Sequence, residues 1–299
     1  MVRNRDLVKG SGPIAERSSS MIPKMQRSRL AMGSALVLAA VAMAGCSGAS
    51  SNLGKYYQGR TLHVSVAAVD RVPELRYATI DPSEVVRHWR LTPSAGDQEL
   101  VLVRVKVENH TAVSAVVNVD QQAAELRDFV RGSFFPVDLG IRLHQDLRGQ
   151  PVVTVHVSLG QCFDPNRVTI SEGTTVNWVN DDSVVQFVKL DLGGAGIGGA
   201  EIAPASVGPG ESFSHTFDSV GTWDYGCRGP ELPDSPAQVK VEAAGQQPAV
   251  RERSMLFLNG PFEMLRGTGI DGWMVFEAPK GTRFRDLRWL AGDVITVRF

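Results

Sequence analysis

The period of the apolar residues constrains this chain more than any other feature, and it is two almost throughout. Leu100-Val101-Leu102-Val103-Arg104-Val105-Lys106-Val107-Glu108 is the strongest run, closed by Asn109-His110-Thr111. Leu62–Val66 and Val85–Leu91 precede it; Val113–Val119, Leu126–Asp128 and Ser133–Val137 follow. Further runs occupy Val152–Val241, and the last are Met255–Leu258, Gly272–Pro279, Leu287–Trp289 and Asp293–Phe299. Period two sends successive side chains to opposite faces of an extended chain, so each run reads as a strand with one buried face. Helical spacing is weak, with a turn at most within Asp120–Arg131. Gly, Pro, Asn and Asp fill the gaps between runs. The expectation is an all-β protein of short strands in sandwiches.

Within Val152–Val241 four motifs follow one another. They are Cys162-Phe163-Asp164-Pro165, then Val176-Asn177-Trp178-Val179-Asn180, then Pro209-Gly210-Glu211-Ser212-Phe213, then Gly221-Thr222-Trp223-Asp224-Tyr225-Gly226-Cys227 before Gln238-Val239-Lys240-Val241. In this order, over about 90 residues (the size of a small sandwich domain), they resemble the cupredoxins, the plastocyanin-like blue copper proteins. The resemblance implies a cupredoxin-like Greek-key sandwich over 151–243 and a copper site. Such a site uses two imidazoles, a Cys thiolate and a weak axial Met or Gln. On the resemblance, Cys227 falls at the thiolate position and Gln186 at the first imidazole position. Pro230 falls at the second imidazole, and Pro233–Ala237 contains no Met. Most of the copper donors are therefore missing.

His215 and His156 are read as outward-facing strand residues rather than ligands, and Glu231 and Asp234 as a charged loop. The glycine-rich stretch Gly193–Gly199 lies between strands and is a loop, not a phosphate cradle. Cys162 and Cys227 have two readings. As a disulfide they would close a loop of about 65 residues, worth about 4 kcal/mol in the chain-entropy model; otherwise they are two buried thiols. Trp89, Trp273 and Trp289 are assigned to cores.

The segment after the cupredoxin-like part is about 50 residues long, marginal for a core of its own. The strands before that part lack a closing partner. One discontinuous domain over 56–147 plus 248–299 is the expectation, with linkers at Arg142–Pro151 and Ala243–Arg253. Leu100–Thr111 together with Asp271–Pro279 resembles a family of extracytoplasmic immunoglobulin-like domains of bacterial lipoproteins. That resemblance implies an immunoglobulin-like β-sandwich serving binding or scaffolding.

At the N-terminus the apolar run Ala35–Ala44 follows Lys24, Arg27 and Arg29 and ends Met43-Ala44-Gly45-Cys46. The order of charged, apolar and small-residue regions is that of an export signal. It resembles a lipobox, which implies a signal peptide over 1–45, acylation of Cys46 and a tether over 46–55. Met21 and Met25 are alternative starts to Met1. The first 45 residues hold seven of the 31 Lys/Arg and two of the 32 Asp/Glu, so the remainder carries 24 against 30, a net of −6. No basic run points to nucleic acid. No nucleophile elbow, P-loop or zinc-protease motif points to an enzyme. The expected partners are the membrane, through lipid on Cys46, and a protein at the cell surface. The location is the cell envelope. Two functions remain open: a metal-free binding or structural module, and a blue-copper electron-transfer or copper-binding protein with non-standard ligands.

Overall fold

The structure, a computed structural model, describes residues 52–82, 84–158, 162–191, 202–227, 237–245 and 252–299. In chain order the first strands are β1 (Tyr56–Gln58), β2 (Leu62–Val72), β3 (Leu75–Ile80), β4 (Val86–Leu91), β5 (Gln98–Asn109), β6 (Ser114–Val119), β7 (Ala124–Asp128) and β8 (Ser133–Phe134). A one-turn helix α1 (Leu139–Arg142) and β9 (His144–Asp146) follow. Next come β10 (Val152–Ser158), β11 (Cys162–Asp164), β12 (Arg167–Ser171), β13 (Thr174–Asn180), β14 (Gln186–Asp191), β15 (Ile202–Val207), β16 (Ser212–Phe217), β17 (Gly221–Cys227) and β18 (Ala237–Glu242). The chain closes with β19 (Gly260–Leu265), β20 (Thr268–Pro279), β21 (Phe284–Trp289) and β22 (Ile295–Arg298). The fold is all-β, as the apolar period demands.

β5 lies at the centre of the first core. It pairs antiparallel with β2 on one side and with β20 on the other, from Asn109↔Thr268 to Gln98↔Pro279. Val101, Val103, Val105 and Val107 face a core shared with Leu126, Phe276, Leu287 and Trp289. Leu100 and Leu102 face the opposite way, against Leu75, Tyr77, Leu91 and Val275. Burial on both faces is why Leu100–Val103 is an unbroken apolar run rather than an alternating one. β6 pairs with β19, and β7 with β21, so strands from both ends of the chain build this core.

The second core lies between the sheet β11-β10-β13-β16 and the strands β15-β14-β17-β18-β12. Val153, Val155 and Val157 of β10 enter it at alternate positions, with Val176 and Trp178 of β13. Trp178 is fully buried; its ring stacks on Phe213 at 5.6 Å and meets Tyr225 edge-on at 5.7 Å.

Arg142–Pro151, expected as a polar linker, is ordered secondary structure instead. Asp138 caps α1 by accepting from the Gly140 amide at 2.9 Å. β9 then pairs parallel with β12 (Val168↔Gln145) and antiparallel with β4 (Arg90↔His144). One eight-stranded sheet, β15-β14-β17-β18-β12-β9-β4-β3, therefore crosses from the second core to the strands of the first part. A polar three-residue strand carried no period to reveal it. Other local differences are smaller. Asp120–Arg131 holds β7 and turns, not a helical turn. Met255–Leu258 makes an isolated bridge at Phe257↔Trp273, and the ladder strand is β19 further on. Residues 246–251 of the second expected linker lie outside the described residues, as do the signal segment 1–45, Cys46, most of the tether and Gly193–Gly199. Trp289 is fully buried, while Trp89 and Trp273 are half-buried against the Leu100–Leu102 side of β5.

Candidate metal centre

The end of β13 sets the geometry of the expected ligand loop. Asn180 is fully buried, and its side-chain amide donates to the carbonyls of Val184 and Val207, both at 2.8 Å. Its Oδ1 accepts the Asp182 amide at 2.9 Å. The loop 181–185 is thus folded back on the strand end, and it delivers Gln186 as the first residue of β14. Gln186 is buried, 3% exposed, and its Nε2 donates to Asp182 Oδ2 at 3.1 Å. Where the cupredoxin resemblance expects an imidazole, the position carries a neutral amide already engaged by a carboxylate.

Cys162 begins β11 in a left-handed conformation with φ 58°; it is 3% exposed and disulfide-bonded. The next residue, Phe163, meets Tyr225 of β17 edge-on at 4.6 Å. Cys227 ends β17, its backbone opposite Val188 of β14. Pro230, Glu231, Asp234 and the stretch 233–236 lie outside the described residues. Burial pushes the Tyr225 phenol upward, and its hydroxyl donates to the Pro165 carbonyl at 3.4 Å across a cis Asp164–Pro165 bond.

The reading of His215 needs correction. Phe213, His215 and Phe217 are alternate residues of β16, so they share a face; the two phenylalanines cannot turn inward while His215 turns outward. His215 is half-buried and meets the Phe217 ring at 4.8 Å, and burial pushes its imidazole pKa down. His156 is exposed and pairs with Asp181 at 2.6 Å. Among the described residues no group of three His, Cys, Asp or Glu side chains converges as metal ligands do.

A charged cluster that sequence reasoning missed sits where β9 joins β12 and β4. Arg90 is 8% exposed and donates to Glu242 Oε1 at 2.5 Å and to Glu74 Oε2 at 2.8 Å. Arg148 donates to Glu242 Oε2 at 3.0 Å and to Asp146 at 2.7 Å. Despite burial, these guanidinium partners hold the Glu74, Glu242 and Asp146 carboxyls below their usual range. His144 stays neutral: burial first, then Arg167, Lys240 and Arg90, push it down to about 4 against the pull of the Val168 carbonyl. These residues are scattered from 74 to 242, and only strand register brings them together.

Comparison with known proteins places the second sandwich. Residues 153–242 match the family described as copper binding proteins, plastocyanin/azurin family. A plastocyanin of Scenedesmus fuscus is 36% identical over 69 residues, which are 22% of this chain and 70% of that protein. Among solved structures, an oxidised variant of amicyanin is 25% identical and matches 30% of this chain and 81% of that one, with a TM-score of 0.26. A reduced variant of amicyanin is 21% identical over 31% of this chain and 85% of its own, with a TM-score of 0.27.

Proposed function

The chain belongs, through residues 153–242, to the plastocyanin/azurin family of copper-binding proteins, and from that premise we propose that its cupredoxin-like part is a metal-free binding or structural module held at the cell envelope by lipid on Cys46. The observation that carries this reading is Gln186, buried at the imidazole position with its amide on Asp182. A neutral amide is a weak axial donor at best and cannot replace an imidazole in the trigonal plane of the site. The disulfide at Cys162 adds to it. The chain has three cysteines, and the Phe163–Tyr225 contact puts β11 against β17. We take Cys227 as the partner, which converts the family's thiolate into half of a covalent bond. The donor set then lacks both a strong nitrogen and a thiolate, and it does not fit copper.

The discontinuous first part, in this reading an immunoglobulin-like sandwich split around the module, acts as its carrier. Among the described residues of the site no nucleophile is paired with a base, and in this reading the part binds rather than catalyses. The Met43-Ala44-Gly45-Cys46 motif supports anchoring by acyl chains, two of which give stable attachment.

Copper titration of the mature chain is the test. The expected outcome is a colourless protein that retains no stoichiometric copper after desalting. Non-reducing peptide mapping should yield one cross-linked peptide containing Cys162 and Cys227, and intact mass should show a diacyl or triacyl group on Cys46. A one-to-one copper complex with an intense visible thiolate-to-copper band would establish the electron-transfer reading instead.

A further inference from the structure

At the junction of the two sandwiches lies a cleft of about 250 Å³, lined by Arg90, Arg142, His144 and Lys240 with the hydroxyl-bearing Thr92, Ser94, Thr169 and Thr222. Among the described residues its lining carries three cations and no carboxylate. The acids that hold the cations sit behind it: Glu74 and Glu242 on Arg90, Glu277 on Arg142 at 3.0 Å, and Glu242 on Lys240 at 3.5 Å. Glu74 and Glu242 are themselves shared with Arg76 and Arg148, so they do not balance the lining.

Two further observations point to a ligand. Arg90 is more than nine-tenths buried, and its Nε has no hydrogen-bond partner. Leaving a buried donor on a charged group unmet is costly, so such groups are normally satisfied. Arg167, two residues before Thr169 on β12, is 9% exposed and makes no ion pair among the described residues; it does not line the cleft itself, but its charge acts on the lining residue His144. Burial pushes its guanidinium below the ordinary value. Lys240, held to Thr92 Oγ1 at 3.0 Å, and Arg142, held to the Thr92 carbonyl at 3.2 Å, are fixed at the rim rather than swinging in solvent.

The geometry points to a binding site for a small oxyanion, a phosphate or a short dicarboxylate, held in this cleft by Arg90, Arg142, Lys240 and the surrounding hydroxyls. Guanidinium groups suit two-oxygen anions because their N–H donors form a fork. A cavity of this size admits a small ion and little more, being below the range of drug-sized pockets. The ligand contacts both sandwiches at once: Arg90, Thr92, Ser94 and Arg142 come from the first part, and Thr169, Thr222 and Lys240 from the second. Binding therefore clamps the two together. The site is independent of whether the family's copper position is used.

The test is titration of the full mature chain with inorganic phosphate and, separately, with succinate, against sodium chloride at matched ionic strength. A saturable rise in melting temperature with either anion, together with saturable shifts of the His144 ring resonances, is the expected result. The responding arm identifies the anion class. Lys240→Gln and Arg142→Gln, both at half-exposed positions and each checked to unfold cooperatively, should each weaken that affinity about tenfold, the effect of one charge-assisted bond. Lys106→Gln, on β5 away from the cleft, should leave it unchanged. No saturable response beyond the chloride control, or a response that survives both cleft variants, overturns the site.

Discussion

Two buried asparagines do equivalent work in the two sandwiches. Asn109 ends β5, fully buried, and donates to the carbonyls of Ala112 and Met264 at 3.0 and 2.9 Å while accepting the Ala112 amide at 3.0 Å. Asn180 does the same at the end of β13. Each side chain replaces ladder partners that the backbone loses at a strand end, and its removal leaves buried carbonyls unmet. Asn109→Ala and Asn180→Ala should each lower stability by about 2–3 kcal/mol, read as a shift in the urea midpoint at unchanged slope. Their positions were legible, because an Asn closing a Val-rich or Trp-containing strand was part of both resemblances; their bonding was not. His144 makes a second testable residue. Its folded pKa of about 4 lies below the ordinary 6.5, so between those values the unfolded chain takes a proton that the folded chain refuses. Stability must then fall as pH falls through that window, by about 2 kcal/mol between pH 7 and pH 5 from this group. Urea unfolding at the two pH values should show the loss, and His144→Gln should remove that part of it.

At the scale of elements, the period of two located the long strands because their faces differ in solvation, and it failed where that contrast disappears. β9 has no apolar residue, and β3 runs from buried Leu75 and Tyr77 into exposed Ala78, Thr79 and Ile80. What fixes β9 is the ladder on both sides and the charges that follow. Glu242 is the hinge of that arrangement, accepting from both Arg90 and Arg148. Glu242→Gln keeps the shape but removes the charge, leaving two guanidinium groups in a mostly buried place with one counter-charge fewer. Breaking a buried pair on one side costs about 3–5 kcal/mol. Because Glu242 keeps some solvent contact, a loss of about 2–3 kcal/mol is expected, measured by chemical unfolding at neutral pH. An unchanged midpoint would show that water already screens the cluster. The expected ligand positions had a similar limit: the cupredoxin resemblance pointed to Gln186 and Cys227, whereas the amide–carboxylate contact of Gln186 appears only once loop 181–185 is folded back.

On the scale of the whole molecule, the two cores share no member, yet one sheet passes between them. The sequence offered two domains and linkers because cores announce themselves by apolar residues, and the join is built from His144, Gln145, Asp146 and the arginines around them. This gives the two parts unequal fates on separation. Deleting 152–241 and closing the ends removes no residue of the core around Phe276 and Trp289, so that part should still fold. It loses β12 beside β9, however, and exposes an unpaired strand edge, a template for pairing with other chains. It also loses the β12–β18 ladder that holds Glu242 against Arg90, weakening that counter-charge. The shortened chain should therefore be folded by circular dichroism but prone to self-association, with a lower melting temperature than the intact protein. The intact chain should unfold in a single transition, since opening one sandwich strips ladder partners and counter-charges from the other. Calorimetry decides between the possibilities: two resolved transitions in the full chain, with the earlier one absent from the shortened chain and the later one unmoved, would mean that β9 is a passive tether and that the sandwiches are energetically independent.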